Sequence, residues 1–236
     1  MRALLFMLLC ASAYGQAFTM FDPAFVSQRR TVTSLTVPTV GLAASNNSAS
    51  ATSLTITGFT VSGSNPYLLV FTAGSASIIA RTLSTATANG VSMLPALFST
   101  NFTAHGNAYI CGLANPASGD IVVTYSGANN AGMSVFAVLL NGTATTGAVD
   151  GSFSSSGRTS VSATLSSVAT DMVIDCLFGG LWTQGGSQTL IGAMNSGSTP
   201  AIVNTSKQTG GASSTTMSWS GGNATVSHVA IVMHGM

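Results

Sequence analysis

The chain has 236 residues and a net charge of +1, and charged side chains make up only 5% of it, against about 25% in a typical soluble domain. It contains five Asp, no Glu and a single Lys, so the residues that usually cover helix surfaces are nearly absent. This composition argues against an α-rich protein. The lack of a basic patch argues against nucleic-acid binding, which depends on several Lys or Arg contacts.

Residues 1–17 have the pattern of a secretory signal peptide. Arg2 supplies a short positive region, residues 3–11 are apolar, and the small residues at 11–13 and 15–17 fit a cleavage site. The apolar stretch is too short to span a bilayer, although a retained anchor or an apolar N-terminal strand is the alternative. The sequence therefore predicts export to the cell surface or the extracellular space, and a mature chain without a membrane span.

Residues 18–30, FTMFDPAFVSQRR, form an aromatic lead-in to a long region of strand and turn signals. From residue 31 onward, short segments rich in Val, Ile and Thr alternate with turns rich in Gly, Asn, Ser and Pro. Many short strands at this spacing predict an all-β sandwich or barrel without amphipathic helices. The predicted strands are 31–40, 51–61, 67–73, 77–83, 90–99, 108–113, 120–126, 132–140, 159–166, 172–178, 188–194, 201–206, 214–220 and 225–233.

The sequence also contains an internal repeat. TYSGANNAGMSVFAVLLNG at 124–142 is matched by SWSGGNATVSHVAIVMHG at 218–235, and residues 52–74 resemble residues 159–180 in the same order. The repeat divides the chain into halves of roughly 31–142 and 157–235, joined by a Gly- and Ser-rich segment. Each half contains, in order, a strand, an apolar strand, a middle segment that differs between the halves, another strand, a Ser-Gly turn and a second apolar strand.

Two arrangements are compatible with this repeat. The halves could be two small tandem domains, or they could be the two parts of one double-sheet fold. The nearly continuous apolar runs YLLVF and SVFAVLLNG are typical of strands that are covered on both faces. We therefore expect one jelly-roll-like β-sandwich domain over residues 31–236, with an internal pseudo-twofold repeat.

Several of these segments resemble a loosely defined group of bacterial and tailed-phage proteins. The resemblance rests on SNPYLLVF, NGVSMLPAL, GNAYICGLANPASGDIVVTYSG and MSVFAVLLNG, within residues 52–142. It implies a lectin-like jelly-roll sandwich of the kind found in secreted surface proteins and in virion or tail components. The group shares no catalytic residues that could be carried over to this chain.

Two cysteines, Cys111 and Cys176, remain once the signal peptide is removed, and each lies in an apolar strand pattern. An exported protein meets an oxidising compartment, so the two could form a disulfide. Free cysteines are also among the most buried residue types, so the other alternative is a pair of buried thiols. The spacing leaves both alternatives open.

The familiar catalytic signatures are missing from the sequence. It has no Gly-x-Ser-x-Gly elbow and no phosphate-binding loop, and a His-Glu-x-x-His motif is impossible without Glu. Asp171 and Asp175 share a strand face but lie too far apart for a tight glycosidase pair, and His228 and His234 are too far apart to chelate one ion. The sequence therefore predicts neither catalytic residues nor a metal site nor a cofactor.

The best candidate for ligand binding is Trp182, which lies between glycines in GGLWTQGG and is predicted to be an exposed loop residue able to stack on a sugar. Trp219 occupies the repeat position of Tyr125, so we expect it to pack in the core.

These observations favour a non-enzymatic, exported structural or binding protein on an exterior surface. The setting would be a cell surface or matrix, or a phage virion, and the partners would be copies of the chain or neighbouring structural proteins, because a surface with little charge tends to associate. Two alternatives stay open: a carbohydrate-binding, lectin-like module, and a phage decoration or tail protein that is assembled without export.

Overall fold

The computed structural model describes residues 36–103, 105–144, 152–194 and 203–236, without the side chains of 102, 152–158 and 222–225. The predicted signal peptide and lead-in lie outside these ranges, and so does much of the segment that joins the halves. The described residues form strands and turns and contain no helix. The predicted all-β fold class is therefore confirmed.

The strands follow each other closely along the chain, as the turn signals predict. They are β1 Thr39–Ser48, β2 Ala51–Phe59, β3 Tyr67–Ser75, β4 Leu83–Ala88, β5 Val91–Ser92, β6 Phe98–Thr103, β7 Gly106–Ala114, β8 Gly119–Asn129, β9 Met133–Asn141, β10 Ser152–Ser166, β11 Met172–Phe178, β12 Thr183–Gln184, β13 Thr189–Met194, β14 Val203–Thr209 and β15 Ser214–Met233.

The described strands form three antiparallel sheets, where the sequence predicted two. The central sheet has the order β1-β9-β3-β7-β6, and the first outer sheet has the order β2-β8-β4-β5. The second outer sheet has the order β10-β15-β11-β14-β13, with β12 paired to β15 off this path.

The core lies on both faces of the central sheet. All nine residues of β3, in the middle of that sheet, are buried. Because side chains alternate along a strand, Leu69 and Phe71 pack in one apolar cluster with Ile174 of the second outer sheet. Leu68 and Val70 point the other way, into a cluster shared with the first outer sheet. This double coverage explains why the YLLVF run is apolar at every position.

The long strand β15 bends back over its own sheet. Its C-terminal part pairs with β11, while its N-terminal part continues the ladder with β10, which shows register shifts around Arg158. Such irregularities bend a strand pair. As a result, Met217 packs in the same apolar cluster as Ala230 and Val232 of the same strand.

The central and second outer sheets have matching strand orders. The two sheets align position by position when β1, β9, β3, β7 and β6 are matched with β10, β15, β11, β14 and β13, in that order. The pairing registers agree as well, since Val70 of β3 faces Cys111 and Ala137, and Asp175 of β11 faces Ser206 and Ala230.

Some predicted elements differ from the structure. The predicted strand 77–83 is a connection, in which Ile78 and Ile79 are exposed, and β4 begins only at Leu83. The Asn- and Ser-rich stretch 44–50, predicted as a turn, largely belongs to β1, an edge strand whose outward positions accept polar residues. The predicted turn at 220–223 lies inside β15, where the strand bends.

Candidate functional site

A buried polar network surrounds Asp175, the only charged residue of β11. Strand pairing places Asp175 opposite Ser206 of β14 and opposite Ala230 of β15. His228 precedes Ala230 by two residues, so its side chain emerges on the same face of the sheet and reaches Asp175 as a diagonal neighbour. The register of three strands thus brings together residues that are far apart in the sequence.

The two oxygens of the Asp175 carboxylate have different partners. Oδ1 accepts a short hydrogen bond from the Ser206 hydroxyl. Oδ2 accepts from the Trp219 indole Nε1 at 2.7 Å and from the Gln188 amide Nε2 at 3.2 Å, and it lies 2.9 Å from His228 Nε2. Trp219, Gln188 and His228 all contact Oδ2, so of these four groups only the Ser206 hydroxyl bonds to Oδ1.

Gln188 closes the network from the segment just before β13. Its amide Nε2 lies 2.6 Å from Ser206 Oγ, so the serine hydroxyl accepts from the amide while it donates to Asp175. Its carbonyl Oε1 accepts the backbone N–H of Ser218 at 2.6 Å, with the Ser218 hydroxyl 3.5 Å away. The carboxamide is therefore held at both of its ends.

The network is sealed from solvent. Asp175, Ser206 and His228 are 0% exposed and Gln188 is 7% exposed. Trp219 of the network packs in a small apolar cluster with Leu177. A second apolar cluster in the same sheet contains Leu165, Val173, Met217, Ala230 and Val232. His228 Nδ1 is buried without a hydrogen-bond partner. Polar groups this deeply buried stay in place only when they bond to each other.

The geometry differs from that of a hydrolase triad. In a triad the histidine bridges the serine and the aspartate, whereas here Asp175 bridges Ser206 and His228. No substrate from solvent can reach a hydroxyl with zero exposure. Any reaction partner of Ser206 must therefore come from the protein itself.

The other two described aspartates have structural partners. Asp171 is 2% exposed, accepts the backbone N–H of Val168 at 2.8 Å and lies 2.9 Å from Nδ1 of the half-exposed His234. Asp120 accepts the N–H of Gly58 at 2.8 Å, at the start of β8. Asp171 and Asp175 thus belong to separate hydrogen-bond networks.

An open polar cleft of about 510 Å³ lies at the β6 edge of the central sheet and is lined by residues of β6 and β7 and by Thr82, just before β4. We call it the Tyr109 cleft. Tyr109 packs edge-on against the buried Tyr125, with ring centroids 5.9 Å apart, and the Asn107 amide donates to the Arg81 carbonyl at 2.9 Å. The lining consists of uncharged hydroxyl, amide and phenol side chains, from Thr82, Ser99, Thr100, Asn101, Asn107 and Tyr109.

Trp182, predicted to be an exposed loop residue, is buried instead. The ring is 8% exposed and packs with Trp219, Leu177 and other apolar side chains. The neighbouring glycines explain the burial, because a Cβ at Gly221 would collide with the indole and one at Gly180 would lie 2.8 Å from its Nε1. The faces of the ring are therefore not available to a ligand.

Cys111 and Cys176 are both free, buried thiols. Cys111 packs between the central and first outer sheets, and Cys176 packs between the central and second outer sheets, so the backbone of the central sheet separates them. The predicted candidate disulfide between them is not formed in this structure. Burial raises the pKa of the Cys111 thiol to about 12 and raises that of Cys176 well above its usual value.

Among the described residues, no group of three or more His, Cys, Asp or Glu side chains is placed to hold a metal ion. The described part of the chain likewise contains no helix long and apolar enough to cross a membrane.

Reasoning from the sequence considered Asp175 and His228 singly and missed the network they form with Ser206 and Gln188. The available signal was a charged or titratable residue inside each of two apolar strand runs, MVIDCLF and VSHVAIVM.

Comparison with known proteins found no similar protein: no protein-family model, curated protein or solved structure matches the chain.

Proposed function

We propose that the protein is a non-enzymatic, exported structural or binding protein of an exterior surface. The observation that carries this proposal is the use of the described carboxylates. Asp120 and Asp171 accept backbone N–H groups, and Asp175 organises a sealed network. Side chains that an enzyme would present to a substrate here hold strands and strand ends together.

The surface supports a role in an assembly. The chain has few charged side chains that could repel other copies of it, and its low net charge favours association. The signal-like first seventeen residues favour a cell surface or matrix, whereas the resemblance to phage components favours a virion.

The test is to fractionate a producing culture into cytosol, envelope, medium and dense particles, and to measure the intact mass of the chain in each. Free or envelope-bound protein beginning near Gln16 or Phe18 supports a processed surface protein. Full-length protein that bands with DNA-containing particles supports assembly into a virion without export. Full-length, monomeric protein confined to the cytosol would overturn the proposal.

A second candidate function, carbohydrate binding, is supported by the Tyr109 cleft. Its lining carries donors and acceptors without charge, together with one aromatic ring, which suits a neutral saccharide. Its volume falls within the range of about 300–1,000 Å³ that is usual for small-molecule sites. In this candidate function Tyr109, and not the buried Trp182, is the aromatic residue that contacts the sugar.

A glycan array with the full chain tests this second candidate, followed by titration of the strongest hit. Tyr109→Ala and Ser99→Ala should abolish or weaken binding, because both side chains line the cleft. Ser84→Ala, at another exposed serine in a strand of the same half, is the matched control and should leave binding unchanged. A blank array at high protein concentration would count against the candidate.

We further infer that the two halves are copies of one jelly-roll unit. In the first half, β1-β9-β3-β7 packs against β2-β8-β4-β5, which gives the eight strands in two sheets of a jelly roll. The matching strand orders support a second copy, in which the bent β10–β15 ribbon takes the place of β2 and β8. Expression of residues 31–142 alone tests this: a cooperative unfolding transition is expected, and an unfolded fragment would oppose the inference.

A further inference from the structure

The Asp175 network brings a nucleophile, a base and an electrophile together inside the protein. Ser206 Oγ donates its proton to Asp175 Oδ1, and the same oxygen touches the Gln188 carboxamide at 2.6 Å. A hydroxyl that donates to an adjacent general base is activated as a nucleophile, and here the base is a carboxylate. We propose that Ser206 and Gln188 join in an intramolecular ester, with release of ammonia. This proposal is independent of the proposed surface function.

The reaction balances without any added reagent. Asp175 takes the Ser206 hydroxyl proton as Oγ forms a bond to Gln188 Cδ, once the carboxamide has tilted to expose that carbon while Oε1 stays bonded to the Ser218 N–H. The carbonyl electrons move onto Oε1. The Cδ–Nε2 bond then breaks, the protonated Asp175 returns its proton to the leaving nitrogen, and ammonia departs. The product is an Oγ–Cδ ester, and the carboxylate is regenerated.

Groups of the network stabilise the charge that develops on Gln188 Oε1 and supply the proton that the leaving nitrogen needs. The negative charge that develops on Gln188 Oε1 meets the Ser218 backbone N–H, which already lies 2.6 Å away. Such a preorganised donor stabilises a tetrahedral intermediate. The leaving nitrogen lies 3.2 Å from Oδ2 of the same carboxyl group, so the proton taken up at Oδ1 returns to the nitrogen after a rotation of that carboxyl group.

Burial makes the ester lasting and the reaction selective. Ser206 and Asp175 are 0% exposed, so water does not compete as a nucleophile or hydrolyse the product. Gln188 precedes β13 and Ser206 lies in β14, so the ester closes the β13–β14 hairpin covalently. A covalently closed hairpin resists unfolding and proteolysis.

The chain contains its own matched control. Ser187 Oγ donates to Gln208 Oε1 at 3.0 Å on the surface, so a serine and a glutamine also lie within hydrogen-bond distance there. Within the described part of the chain, no carboxylate hydrogen-bonds to either residue. Proximity alone would cross-link both pairs, whereas the proposed chemistry cross-links only the pair beside Asp175.

Peptide mapping of the folded, full-length protein tests the proposal. Trypsin cuts after Arg158 and Lys207, and cyanogen bromide cuts after Met172 and Met194, which separates Gln188 in 173–194 from Ser206 in 195–207. We expect these two fragments to stay joined, at a combined mass lower by about 17 Da, the mass of ammonia. Hydroxylamine should then release them, as it does for an ester.

Recovery of the two fragments as separate, unmodified peptides would overturn the proposal. Intact mass alone does not suffice, because an N-terminal Gln16 would also lose ammonia on cyclising. The control pair must remain apart, with fragments 173–194 and 208–217 not joined to each other.

Variants test the assigned roles. Ser206→Ala removes the nucleophile and Asp175→Asn removes the base, so both should abolish the joined species, whereas Ser206→Thr keeps a hydroxyl and should retain some of it. Circular dichroism identifies which variants fold. A joined species that persists in folded Ser206→Ala would place the link elsewhere and reject the assignment, and the wild-type digest decides the question even if the variants do not fold.

Discussion

The two halves of the chain place opposite chemistry at corresponding positions of the same strand order. Val70 in β3 faces Cys111 in the first half, while Asp175 in β11 faces Ser206 in the second. The first pair lies in a hydrophobic cluster between two sheets. The second lies in a buried hydrogen-bond network, so this part of the scaffold accepts either an apolar or a polar interior.

The surrounding positions follow the same division. Val135 in β9 corresponds to His228 in β15, and Tyr125 corresponds to Trp219 in the repeat. Tyr125 bonds through its hydroxyl to Thr72 at 3.2 Å, whereas the Trp219 indole donates to Asp175. The Asp175 network thus replaces Val70, Cys111 and Val135 of the first half with Asp175, Ser206 and His228. We assign the Ser206–Gln188 reaction to this network.

Val70→Asp should have the largest effect, because it places a carboxylate in the first half without the partners of Asp175. Val70 is 0% exposed, and an unpaired buried charge costs several kcal/mol. We expect the variant to be unfolded or to lose most of its stability in urea denaturation. Val70→Ala, which leaves only a cavity, should cost clearly less. Equal losses for the two variants would show that charge is not the deciding factor.

Asp175→Val performs the reverse exchange and should cost about 3–5 kcal/mol, because it leaves buried His228, Trp219 and Gln188 without their acceptor. Chemical denaturation measures the loss. Ser206→Ala is the matched control, since it lacks the proposed ester but keeps the acceptor, and it should cost less. A stable Asp175→Val protein would mean that the network contributes little to stability.

The sequence predicted the fold well where one local pattern decides it. The runs that became β3, β9 and β11 are mostly apolar on both faces, because both faces of each strand are covered. It failed where a side chain depends on distant backbone: the glycines beside Trp182 suggested a loop, but they make room for the indole. The Asp175 network depends on the registers of three strands, so no local pattern could place Gln188 against Ser206.

Alkaline pH should destabilise the first half through Cys111, which stands where the second half has Ser206. Burial raises the pKa of Cys111 from about 9 to about 12. The folded state therefore keeps a proton that the unfolded state loses, so this contribution to stability is complete below pH 9 and is lost between pH 9 and 12. One such thiol accounts for about 1.4 kcal/mol per pH unit in that window.

Thermal unfolding between pH 7 and 11 measures this loss. Cys111→Ala should unfold with a shallower dependence on pH above 9 than the wild type. Burial also raises the pKa of Tyr125 and of Cys176, so part of the slope should remain in the variant. An unchanged slope would show that the pKa of Cys111 is the same in the folded and unfolded states.

Thr72→Val should have the smallest effect, about 1–3 kcal/mol, because it removes the partner of the buried Tyr125 hydroxyl. Tyr125→Phe should cost a similar amount. The double variant should be less destabilised than the sum of the two, since removing both partners leaves no unsatisfied hydroxyl. A double-mutant cycle in urea measures the coupling. Strict additivity would mean that the Thr72–Tyr125 hydrogen bond does not stabilise the first half, and the contrast with the Asp175 network of the second half would then be sharper.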